Sequence, residues 1–181
     1  MQPDPRPIAV LHLGFHKTGT TSLQAALNAH AAQLRDYQIA TLQTASRGLR
    51  DATHAARFYS AHPRAKPLAA LRACLTTWVA SLEKTRPLLL SSEDFAGHMP
   101  GNRGVTSYAA APAIAQELTR ALEPHFAPRL LLTIRAPQPW LRSIHWQNAK
   151  HDHMLLSAEA FATTYAEAAN FAPVLDDMRA R

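Results

Sequence analysis

Apolar residues along the 181-residue chain follow two different spacings, and the change from one to the other is the first structural signal. Ile8-Ala-Val-Leu-His-Leu13 is a short, nearly continuous apolar run closed by Gly14. Such a run predicts a strand buried on both faces, as in a parallel sheet. From Thr21 the period changes: Leu23, Ala26, Leu27, Ala31 and Leu34 recur at three- and four-residue steps, which predicts an amphipathic helix. Strand, glycine-bearing turn and helix in that order predict a unit of the α/β kind. Pro3, Pro5 and Pro7 make the preceding residues an extended lead-in.

The same reading extends down the chain. Residues 37–42 form a short strand candidate, and residues 51–62 and 67–84 read as helices. The second of these offers Leu68, Leu71, Leu75, Trp78, Val79 and Leu82 as a core face. A second buried strand spans 87–92, with Glu93 and Asp94 directly after it. A loop over 97–104, a helix over 112–122 and a third strand over 129–135 follow. Pro137 and Pro139 end that strand and suit the start of a helix reaching Lys150, in which Trp140 and Trp146 do not share one face. Further helices are expected over 157–170 and after Pro173. The fold class is therefore α/β, with a small, mainly parallel sheet of about three to five strands flanked by helices. No repeat, no Gly/Ser-rich linker and no second domain boundary interrupts residues 1–181, which read as one domain.

Charge narrows the partners. Nineteen Lys and Arg against thirteen Asp and Glu leave a net charge of +6 with the ten histidines neutral, a field that favours anionic ligands. The cations are scattered, without the clustered basic stripe expected of a nucleic-acid surface. Cys74 is the sole cysteine, which excludes an intramolecular disulfide and a Cys-rich zinc site and fits a reducing compartment. Its helical context makes it a structural thiol. No apolar run is long enough for a signal-peptide core or a bilayer span, so the expectation is a soluble, cytoplasmic protein. His151-Asp152-His153 has no third ligand in view and reads as a solvated turn rather than a metal site.

Candidate chemistry concentrates in Gly14-Phe15-His16-Lys17-Thr18-Gly19-Thr20-Thr21-Ser22. A glycine at each end lets the backbone turn sharply and approach a ligand, and the following helix directs its unpaired N–H groups toward the loop. Lys17 adds a full positive charge, and Thr20, Thr21 and Ser22 add hydroxyl donors. The spacing of Gly14 and Gly19 is that of a P-loop, yet Thr20 stands where the Walker pattern needs lysine. A magnesium-dependent kinase or nucleotide hydrolase would use Glu93 or Asp94 to hold its metal, and that alternative remains open here.

A second constellation is Thr133-Ile-Arg135-Ala-Pro137-Gln-Pro-Trp-Leu-Arg-Ser143. Arg135 at the carboxyl end of a strand and Ser143 in the first turns of the next helix both reach the crevice where open α/β sheets bind ligands. A guanidinium fork suits phosphate.

Together the two segments resemble the signatures of the sulfotransferases that use 3′-phosphoadenosine 5′-phosphosulfate (PAPS), in particular their bacterial branch. His16 through Ser22 is similar to the family's 5′-phosphosulfate loop. Arg135, Pro137 and Ser143 match its 3′-phosphate signature. The resemblance implies a P-loop fold in which Gly14, His16, Lys17, Thr18, Gly19, Thr20, Thr21, Ser22, Arg135 and Ser143 bind the nucleotide. It also implies Lys17 as stabiliser of the leaving group and PAPS as co-substrate without a required metal. Glu93 matches the glutamate that some branches use as base; Asp94 and His16 are the other candidates. His98 and His145 are candidates to contact the acceptor, a hydroxyl- or amine-bearing carbohydrate, lipid, phenol or peptide. The resemblance covers residues 8–149, the donor-binding portion. Family members continue through another strand and a basic Gly-containing loop, so the expectation is a chain lacking that C-terminal part, with a nucleotide-binding module of no activity as a further alternative.

Overall fold

The structure, a computed structural model, describes residues 4–150 and 155–181, so Pro3 and His151-Asp152-His153 lie outside the described residues. Four strands, β1 (Ile8–His12), β2 (Gln38–Thr41), β3 (Leu88–Ser91) and β4 (Ala127–Leu131), form one all-parallel sheet in the order β2-β3-β1-β4. In the centre Val10 lies opposite Leu89 on one side and Arg129 on the other. The chain leaves β1 toward β2 and β3 and then crosses to the far side for β4. The strand order thus reverses at β1, and open α/β sheets have their ligand crevice beyond the carboxyl end of such a position.

Seven α-helices flank the sheet among the described residues: α1 (Thr20–Ala29), α2 (Arg47–Ala61), α3 (Ala65–Ala80), α4 (Ala111–Leu122), α5 (Pro137–Ala149), α6 (Ala158–Thr164) and α7 (Ala172–Ala180). The main core joins Leu11 and Leu90 to Leu71, Leu75 and Trp78 of α3 and Ile114, Leu118 and Leu122 of α4. A second apolar cluster gathers Phe15, Tyr108, Trp140, Ile144, Phe161 and Phe171. Within it Phe15 lies 4.6 Å from the Tyr108 ring and 4.7 Å from that of Phe171. Loop residue Phe15 is thereby an aromatic anchor holding the segment after β1 in place.

Several expected elements move at their edges. In β1, Ala9 and Leu11 are fully buried while Ile8 is 50% exposed, so only one face is completely covered. The third strand begins and ends earlier than its apolar run, at Ala127–Leu131. Beyond it the backbone still pairs, with the Leu13 amide donating to the Leu131 carbonyl (3.0 Å) and Phe15 to that of Thr133 (3.4 Å), but it follows the loop instead of a regular ladder. The first helix stops at Ala29, short of Leu34; Thr20 and Gln24 are its buried residues, whereas Ala26 and Ala31 face solvent. Those small side chains bury little area, and α3 and α4 close the core instead. The helix expected over 157–170 divides into α6 and a 3₁₀ turn (Glu167–Ala169), which lets Ala168, Ala169 and Phe171 enter the second cluster.

Trp140 is buried and Trp146 exposed, as their spacing requires. Cys74 is half-buried and its thiol is pushed up by that burial, which keeps it protonated and unreactive. No helix among the described residues is long and apolar enough to cross a membrane.

Candidate functional site

The loop after β1 is shaped by two glycines with different duties. A Cβ at Gly14 would fall 2.2 Å from Thr133 Oγ1 and 2.8 Å from both His12 Nε2 and Thr20 Cγ2, so the position admits no side chain. Gly19 has open space but φ of 99°, a left-handed backbone; Lys17 shares that region at φ 66°. Gly19 caps α1 without a side-chain oxygen, and the first turn holds no acidic residue. Ser22 and Leu23 turn their amides back to the Gly19 carbonyl, and the Thr20 and Thr21 amides ahead of them lack intrahelical acceptors and stay open toward a ligand.

Under the loop runs a buried polar chain. Thr18 Oγ1 donates to the Phe15 carbonyl (2.5 Å) and lies 2.8 Å from Thr133 Oγ1. Thr133 Oγ1 lies 3.1 Å from His12 Nε2, and His12 Nδ1 lies 2.8 Å from Ser91 Oγ. Each hydroxyl has one proton, so the direction is determined: Ser91 donates to Nδ1, His12 Nε2–H to Thr133, and Thr133 to Thr18. Burial holds His12 below its ordinary range, in keeping with this neutral form. Trp140 Nε1 donates to the His16 carbonyl at 2.9 Å. The Tyr108 hydroxyl accepts from the His16 amide (3.2 Å) and lies 3.1 Å from Nδ1, which leaves its proton for that nitrogen. Burial, with Arg57, His98 and Lys17 nearby, keeps His16 well below its usual pKa. Its Nε2–H therefore points toward Asp94, 4.0 Å away.

Above the loop, at the carboxyl ends of β1 and β3, lies a cavity of about 530 Å³. His16, Lys17, Gly19, Thr20 and Thr21 border it from the loop. Arg135 and Ser143 do so from the β4–α5 segment, and Glu93 from the turn after β3. The two basic segments touch: Arg135 Nη1 donates to the Lys17 carbonyl (3.4 Å), and Lys17 Nζ to Gln147 Oε1 on α5 (3.3 Å). Three expected binding residues do not reach its wall. Gly14 is packed beneath the loop, Thr18 spends its hydroxyl inside it, and Ser22 faces solvent on α1.

Glu93 and Asp94 open a 3₁₀ turn (Glu93–Ala96). Glu93 Oε2 accepts from Gln24 Nε2 at 2.8 Å, and Gln24 is 5% exposed on α1. Asp94 has its carboxyl pushed up to about 6 by burial, against the opposing pull of Arg57, whose Nε is 3.8 Å away. His98 borders the cavity and is pushed down to about 4, first by burial and then by Arg57 and Arg103. His145 lies apart, with Nε2 2.9 Å from the Leu156 carbonyl and its ring on Phe161. Arg57, Gln24, Tyr108, Met99, Asn102 and Gln147 contribute to the site without any motif that announces them in sequence. The one usable signal is that Met99 and Asn102 fall in the glycine-bounded loop over 97–104.

Lys17, Arg57 and Arg135, hydroxyls and open helix amides make a donor set that fits a ligand bearing more than one oxyanion. Lys17 comes to the cavity from the loop after β1, and Arg135 and Ser143 from the β4–α5 segment. No group of three or more metal-binding side chains gathers among the described residues. Comparison with curated proteins returns no match. The sulfotransferase domain matches residues 9–180, taking in both residues 14–22 and residues 133–143 and continuing past residue 149 through α6 and α7, and the chain therefore belongs to the sulfotransferase domain family.

Proposed function

We propose that the chain moves a sulfuryl group from PAPS to a hydroxyl-bearing acceptor. The observation that supports this most directly is that Lys17, Arg135, Ser143 and Glu93, from three distant segments, border one cavity. The bound donor would supply a sulfuryl group already activated by its bond to a phosphate oxygen. Lys17 and the α1 amides hold the 5′ end and face the oxygen on which negative charge grows, so their dipoles need no rearrangement during transfer. Arg135 and Ser143 hold the 3′-phosphate, the guanidinium by its fork and the serine by its hydroxyl. Glu93 takes the proton of the acceptor hydroxyl, and Gln24 keeps that carboxylate oriented. His16, neutral and donating from Nε2, adds hydrogen-bonding capacity without charge.

Calorimetric titration with adenosine 3′,5′-bisphosphate in the presence of a chelator tests the donor assignment, and labelled sulfuryl transfer tests the activity. The expected results are metal-independent binding and a roughly 10²- to 10³-fold loss of transfer in Lys17→Ala. Magnesium-dependent ATP binding with no bisphosphate binding would transfer the site to kinase or hydrolase chemistry. Tight bisphosphate binding with no transfer to any acceptor would leave a nucleotide-binding module.

A further inference from the structure

A second cavity, of about 290 Å³, adjoins the first, and Arg57 and His98 line both. His54, Phe58, His62 and Arg103 form most of the remaining wall, and no acidic side chain among the described residues lines it. Arg103 is carried on a left-handed backbone (φ 53°) in a loop whose Gly101 (φ 88°) and Gly104 (φ 75°) are left-handed as well. Phe58 is half-exposed and its ring lies 4.8 Å from the His62 ring, an apolar platform beside the cations. Asp94, 3.8 Å from Arg57, neutralises part of that arginine from the donor side, but no carboxylate among the described residues on the wall answers Arg103. Burial first, and then Arg57, Arg103, His54 and His62, hold His98 deprotonated beside the two guanidinium groups.

We propose that this second cavity receives an oxyanion carried by the acceptor itself, so that the substrate is an anionic alcohol whose hydroxyl lies toward Glu93 while its charged group meets Arg57 and Arg103. This rests on the donor cavity being the sulfuryl-transfer site. Arg57, shared by both cavities, places the two ligands side by side, and Arg103 supplies a guanidinium fork of the geometry that carboxylate and phosphate accept. Phe58 covers an apolar ring face of the same molecule.

Matched pairs of ligands provide the test: phenyl β-glucuronide against phenyl β-glucoside for a carboxylate, and glucose 6-phosphate against glucose for a phosphate. Binding is read by titration with and without adenosine 3′,5′-bisphosphate, and by the NMR titration of the His98 ring. At least one charged member is expected to bind about tenfold or more tightly than its neutral partner and to raise the His98 pKa. Arg103→Gln is expected to remove that preference and Arg103→Lys to retain most of it, with bisphosphate affinity unchanged because Arg103 does not line the donor cavity. The proposal is overturned if charged and neutral members behave alike in both pairs, or if the preference survives in Arg103→Gln. A charge preference without bisphosphate binding would sink the donor assignment alone, whereas bisphosphate binding without a charge preference would sink this subsite alone.

Discussion

Replacing Gly14 by alanine isolates how tightly the loop is held against the sheet. The position has no left-handed backbone, so the whole cost is steric. The new methyl would stand 2.2 Å from Thr133 Oγ1 and 2.8 Å from His12 Nε2 and Thr20 Cγ2, far inside ordinary contact. Relief requires Thr133 to move away from Thr18 (2.8 Å) and His12 (3.1 Å), or α1 to shift at its first residue. Overpacking costs about 1–3 kcal/mol, and two buried hydrogen bonds add about 1 kcal/mol each. The sum, about 3–5 kcal/mol, corresponds to a fall in Tm of roughly 6–20 °C for a chain of this size. Thermal unfolding by circular dichroism measures it, and a titration with adenosine 3′,5′-bisphosphate should show weakened binding in parallel. Gly19→Ala is the control: nothing lies within 4 Å of its Cβ, and only the φ of 99° is unfavourable, at about 1–2 kcal/mol. A Gly14→Ala protein melting within about 2 °C of wild type, or a Gly19→Ala protein melting lower than Gly14→Ala, would refute the steric account.

Further consequences concern single side chains. Glu93→Gln should lower sulfuryl transfer about 10²- to 10⁴-fold while leaving bisphosphate affinity nearly unchanged; lost nucleotide binding would make Glu93 a binding residue instead. Asp94 has a folded-state pKa raised from 3.8 to about 6, so its ionisation opposes folding as pH rises through that value. Asp94→Asn should accordingly be more stable than wild type at about pH 8, by about 2–3 kcal/mol, with the difference vanishing near pH 4 in denaturant titrations. Arg72 ties α3 to α4 through two 2.7 Å hydrogen bonds to Glu117, a residue only 7% exposed. Arg72→Ala should cost about 1–3 kcal/mol at neutral pH. That bond is also the first cause of the lowered Glu117 pKa, so the cost should fade as acid titrates the carboxylate.

The parts of the site that could be read in the chain are those carried by contiguous residues. Lys17 sits between two glycines at a strand-to-helix junction, and Arg135 and Ser143 flank the next one; each arrangement is local, and a local arrangement is spelled out by neighbours in sequence. The structure brings these residues, with Glu93, to one cavity. Arg57 was not legible, because it lies inside α2 among ordinary helix positions and reaches the cavity only through the packing of that helix over the turn after β3. Gln24 is one polar residue among several in α1, and nothing in its neighbours marks it as the one buried against Glu93. Tyr108 carried no signal either, since its role is to meet a backbone amide contributed by a distant loop.

Periodicity by itself determined the α/β class, the strand-loop-helix unit around Lys17 and the cores of β1, β3 and α3, because burial pattern and turn chemistry act over a few adjacent residues. Only the tertiary structure decided which strand became an edge, where α1 ended, and that Gly14, Thr18 and Ser22 stay off the cavity wall. The same holds for Arg57 and Arg103 of the second cavity, whose guanidinium charges come together only once α2 and the loop after β3 are packed side by side. Strand order, helix ends and the field inside a cavity depend on contacts between segments far apart in the chain, and no short stretch of residues contains the energy of such a contact.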